Sequence, residues 1–144
     1  MTMEAAAGDG PGVTALQRLA KSTFVHVGFA FLAMGGWTLW ANHAHGLAAA
    51  WPPALAQGAM SGAITLVLKR ALEAMAARLP GAMAFVVPPV VTATVILAVL
   101  IGVHRMIGTP EIVRTIAVPW SVSTLYAIVY AAVVARGRAG AAIP

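Results

Sequence analysis

Long apolar runs alternate along the chain with short polar breaks. Four runs stand out, at about 22–40, 53–68, 82–103 and 117–135. Their lengths lie close to the ~20 residues a helix needs to cross the hydrocarbon core of a bilayer. The pattern predicts an all-α polytopic membrane protein, a four-transmembrane-helix bundle. Residues 1–21 read as a disordered or interfacial tail, 22–135 as the membrane domain and 136–144 as a second short tail. The two halves share nothing beyond hydrophobicity, so an inverted repeat is not expected.

The second run organises the rest. It opens on Trp51-Pro52-Pro53, and prolines suit the first turn of a helix, where an N–H would have no partner. It ends at Lys69 and Arg70. Beyond them Leu72, Met75, Ala76 and Leu79 share a face, which predicts an interfacial extension of helix 2 until Pro80-Gly81 stops it. Gln57, Ser61 and Thr65 recur every four residues, with Gly58 and Gly62 beside them. Small and weakly polar positions let membrane helices approach closely, so this stripe predicts a packing seam more readily than a solute path. Ser123, Ala127 and Ala131 form a similar ridge on the fourth run.

Other breaks carry local signals. Gly28, Gly35 and Gly36 open the first run to close neighbours, and Trp37 and Trp40 suit a membrane interface. A cleaved leader is the weaker alternative for this run, because its small-residue site lies too far downstream. Pro88-Pro89 should kink the third helix or delay its regular part, with Thr92 and Thr94 bonding back to freed carbonyls. Thr109-Pro110-Glu111 has the form of a helix start, with a capping hydroxyl, a fixed φ and a first-turn carboxylate. The fourth helix is therefore expected from Pro110, bending near Pro119.

Charge adds topology. Only 9% of the 144 residues are charged and 60% are hydrophobic, too few charges to cover a water-facing surface. Arg18, Lys21, Lys69, Arg70, Arg78, Arg136 and Arg138 fall on one side of the predicted spans, against Arg105 and Arg114 on the other. Positive residues collect on the cytoplasmic side. Both termini are thus expected in the cytoplasm of a multi-pass protein of the cell membrane, a bacterial inner membrane in this reading. The net charge of +5 follows this layout and forms no basic stripe with aromatics, so no nucleic-acid partner is expected.

Candidate chemistry is sparse. With no cysteine, disulfides, thiolate metal sites and cysteine nucleophiles are excluded. The four carboxylates, Glu4, Asp9, Glu73 and Glu111, all fall outside the predicted spans, which disfavours proton-driven pumping and paired-acid hydrolysis. His26 lies near the end of a span and reads as a neutral imidazole with a local partner. The far-side loops gather Asn42, His43, His45, His104, Arg105, Glu111 and Arg114, with Gln57 one turn inside the second span. Arginine forks and a helix N-terminus suit a phosphate or carboxylate, so these eight residues form a candidate ligand site. The competing reading pairs Arg114 with Glu111 and lets Arg105 snorkel to the interface. His43, His45, His104 and Glu111 are zinc-capable donor types, but the H-x-H spacing is a weak signal, and neither metal nor cofactor is expected.

The leading expectation is a non-enzymatic transporter or lipid-handling protein that binds an anionic or lipid-linked ligand on its extracytoplasmic side. Membrane lipids are its expected partners, with homo-oligomerisation. An accessory or assembly subunit of a larger membrane complex is the alternative. A metal-dependent membrane enzyme is third.

Overall fold

The computed structural model describes residues 22–141, and side chains as far as Gly137. The tail expected at 1–21, with Arg18 and Lys21, lies outside the described residues. Four helices follow in order: α1 (Thr23–Asn42), α2 (Leu47–Arg78), α3 (Met83–Met106) and α4 (Ile112–Ala141). A short 3-10 turn, His43–His45, joins α1 to α2. The described chain is all-helical. Three of its segments are long and apolar enough to span a membrane: Thr23–His45, Met83–Met106 and Ile112–Gly137. Helix α2 falls outside that set, because Gln57, Ser61, Thr65 and the Lys69-Arg70 pair dilute its hydropathy.

Successive helices run antiparallel. Gly35 faces Ala54, Phe31 faces Gly58 and Val27 faces Gly62, each step of four down α1 matched by four up α2. This is the most extensive helix pairing in the molecule. The contact is close because these glycines lack Cβ: one added at Gly58 would sit 2.9 Å from the Phe31 carbonyl oxygen. By the same register Thr23 lies level with Leu66, so the last three turns of α2 run past the start of α1. There they pack on α3 and α4. Leu68 and Leu72 join Ile96, Leu100, Ile116 and Ala127 in the apolar core.

Several expectations are corrected. Helix α2 begins at Leu47, capped by Gly46 at φ 84°, so Pro52 and Pro53 lie in its second turn. The residues expected along the interface continue the same helix, and Leu72 and Ala76 are buried in the bundle instead, since α3 and α4 offer them apolar partners. Thr92 and Thr94 do bond backwards, to the carbonyls of Pro88 and Val90. Those are not the carbonyls the prolines free, which belong to Ala84 and Phe85 four residues before each ring. Helix α4 begins at Ile112, after a turn at Pro110-Glu111, and continues through Arg136 to Ala141.

Of the packing residues expected, Gly58, Ser61, Gly62, Ser123, Ala127 and Ala131 are buried. Thr65 is exposed and donates to the Ser61 carbonyl in its own helix.

Candidate functional site

The α1–α2 turn and the α3–α4 turn meet at one end of the bundle and bring the expected polar residues together there. They separate into two groups. One is a buried layer closed on itself, and the other is an exposed rim.

The buried layer is built from Asn42, Gln57 and His104, each 0% exposed. Gln57 Nε2 donates to Ser61 Oγ at 2.9 Å, which leaves its Oε1 to accept from His104 Nε2–H at 2.9 Å. Thr109 Oγ1–H then donates to His104 Nδ1 at 2.7 Å. The partners thus assign one neutral tautomer to His104, and both ring nitrogens are occupied. A dry site favours this outcome, because an unmade hydrogen bond there costs ~1–3 kcal/mol. Thr109 was expected to cap α4, but its hydroxyl is spent on His104.

The capping task passes to α1. Asn42 Oδ1 accepts the Glu111 N–H at 3.0 Å, one of the orphan donors at the start of α4. Its Nδ2 donates to the Thr38 carbonyl at 2.9 Å and to Thr115 Oγ1 at 2.8 Å. Every hydrogen-bonding atom of the Asn42 amide therefore has a partner. Thr38 Oγ1 is buried in the same layer without one.

The rim holds the other five. His45 Nε2 lies 3.1 Å from Glu111 Oε1, an exposed pair. His43 Nδ1 donates to the Trp40 carbonyl, and its ring stacks on Trp40. The Arg114 guanidinium sits over the Trp40 ring, 4.5 Å from its centroid, while its carbonyl accepts from Trp37 Nε1 at 3.0 Å. Arg105 is exposed at the end of α3. Glu111 is thus engaged by His45, and the Arg114–Glu111 pair expected as the plainer alternative does not form. His26 stands apart, its Nδ1 3.0 Å from the Ser22 carbonyl.

Trp37, Trp40, Thr38 and Thr115 belong to this end of the molecule and were not singled out as site residues. The i, i+3 spacing of the two tryptophans put them on one face of α1. Their arginine partner lies too far along the chain for local spacing to reveal it. Among the described residues, no three His, Asp or Glu side chains converge as metal ligands. Two surface hollows are lined almost wholly by apolar side chains. Chemically the arrangement offers a buried polar plug, satisfied but for Thr38 Oγ1, under a rim of two exposed guanidinium groups. Comparison with family models, with curated proteins and with solved structures finds no match for the chain.

Proposed function

We propose that all four helices cross the bilayer, α2 included, with both termini cytoplasmic, and that the protein is a non-enzymatic lipid-handling protein. On this reading an anionic or lipid-linked head group docks at the extracytoplasmic rim, on Arg105 and Arg114. The observation that carries it is the division of charge there. His45 occupies Glu111, and neither arginine forms an ion pair with a carboxylate among the described residues. The cation–π contact with Trp40 holds the Arg114 guanidinium at the rim and leaves its N–H donors available to a phosphate.

The proposed crossing of α2 is supported by its two polar ties. Gln57 meets His104 near one end and Glu73 meets Tyr130 Oη near the other. The helix between them covers roughly 24 Å at ~1.5 Å per residue, close to the ~30 Å hydrocarbon core. Its modest hydropathy is tolerable because α1, α3 and α4 all pack on it, so less of it faces lipid. The end remote from the rim carries Lys69, Arg70, Arg78 and Arg136, as a cytoplasmic face should.

Native mass spectrometry of the protein released gently from its own membrane tests this function. The expected result is a retained anionic lipid that is lost when Arg105 and Arg114 are both changed to Ala. Equal retention by the double variant would refute the rim site. A one-to-one mass with a foreign chain, and no lipid, would make the protein an accessory subunit instead.

A further inference from the structure

Toward the other end of the bundle α2 and α3 flank a groove of about 400 Å³. Its walls are Ala63, Val67, Ala71 and Met75 on α2, and Val95 and Val99 among others on α3. Ala63 to Met75 covers roughly 18 Å of helix, about the depth of one leaflet of a ~30 Å core. The volume lies within the ~300–1,000 Å³ typical of small-molecule sites. An apolar groove alone would accept any neighbour, but the end of this one is charged.

Arg78 lies three residues past Met75 and seven past Ala71, so helical periodicity keeps it on the groove's face, one turn beyond the last apolar wall. Helical side chains lean toward the N-terminus. Arg78 does so, donating from a guanidinium nitrogen to the Ala74 carbonyl at 2.8 Å, which folds it back along α2. Arg70, exposed, flanks the same wall next to Ala71. The nearby carboxylate, Glu73, is engaged by Tyr130 and by Lys69 at 3.9 Å. Neither Arg70 nor Arg78 forms an ion pair among the described residues.

We infer that this groove is a binding site for one acyl chain of an anionic phospholipid, whose phosphate is held by Arg78. The groove length matches a single leaflet, and the cationic end stands where that leaflet's head groups begin. This site rests on the proposed crossing of α2. It lies in the opposite leaflet from the rim and shares no residue with it.

The test uses the full chain in detergent, titrated with phosphatidylglycerol or phosphatidylcholine of matched acyl chains and read by native mass spectrometry. Phosphatidylglycerol should be retained about tenfold more strongly, the scale of one charge-assisted contact. Arg78→Gln should abolish that preference and Arg78→Lys should restore part of it. Val95→Trp, which fills the groove, should reduce retention of both lipids. Changing Arg105 and Arg114 to Ala should leave the preference in place, which separates failure of this site from failure of the rim. Equal retention of the two lipids, or an unchanged preference in Arg78→Gln, would overturn the inference. So would a lipid-free dimer that Val95→Trp dissociates, because a second copy would then fill the groove.

Discussion

Replacing His104 by Phe removes the hinge of the buried layer while keeping a ring of similar size in place. Two hydrogen bonds go, from Nε2 to Gln57 and from Thr109 to Nδ1, both in a fully buried site. The interhelical bond to Gln57 contributes ~0.6–1.7 kcal/mol and the local one to Thr109 ~0.5–1.5 kcal/mol, so the pair accounts for about 1–3 kcal/mol. Gln57 keeps its bond to Ser61, but its Oε1 is left without a donor at a cost of ~1 kcal/mol or more. The variant should therefore lose about 2–4 kcal/mol of stability. Adding Gln57→Leu removes the stranded acceptor, and the double variant should be less destabilised than the sum of the single changes. The expected coupling is ~1 kcal/mol. Reversible unfolding in mixed micelles, followed by circular dichroism across the four variants of the cycle, measures both quantities. A His104→Phe protein within ~0.5 kcal/mol of the parent, or additive single changes, would show that the layer is not coupled as described.

Two further outcomes are expected. Asn42→Ala should cost about 1–3 kcal/mol, because it strands the Glu111 N–H and Thr115 Oγ1 together. It should also accelerate hydrogen exchange at the Glu111 amide, whereas unchanged exchange would deny Asn42 its capping role. Gly58→Ala and Gly62→Ala should differ although both lie on the α1–α2 seam. The first drives a methyl against the Phe31 backbone oxygen at 2.9 Å and should cost ~1–3 kcal/mol. The second meets the Val27 side chain at 3.2 Å and the Val27 carbonyl oxygen at an ordinary 3.8 Å, so its melting temperature should stay near the parent's.

How much of this was legible in the sequence depends on the range of the interaction. Apolar run length marked all four helices, three of which contain segments long and apolar enough to span a membrane. The glycines and small residues of the α2 seam were legible because close approach demands them. Helix ends were less so. Gly46 can adopt the positive φ that starts α2, but Pro52-Pro53 gave the louder local signal and drew the expected start too late. The continuation of α2 past Lys69 was legible in the shared face of Leu72, Met75, Ala76 and Leu79, but the burial of that face against α3 and α4 was not.

The polar residues show the same limit. Their convergence at one end followed from topology, which sequence order gives. Their division into plug and rim did not. Asn42 and His104 sit at the ends of apolar runs, as an exposed loop residue would. Thr115 and Gln57 decide their burial from positions far along the chain. Glu111 had two candidate partners, Arg114 three residues away and His45 on another loop. The structure chose His45, because Arg114 has the face of Trp40 to lie on.

Both proposed lipid sites, and the leaflets they occupy, depend on α2 crossing the bilayer. The chain has no native cysteine, so single thiols can be placed at will. Ala44 and Ala77 are exposed near opposite ends of α2. The most direct measurement is labelling of Ala44→Cys and Ala77→Cys by a membrane-impermeant maleimide, in intact cells and in inverted membrane vesicles. The account predicts that Ala44→Cys labels only from the extracytoplasmic side and Ala77→Cys only from the cytoplasmic side. Labelling of both from the same side would contradict it, leaving α2 on one face of the membrane and both sites without their leaflets.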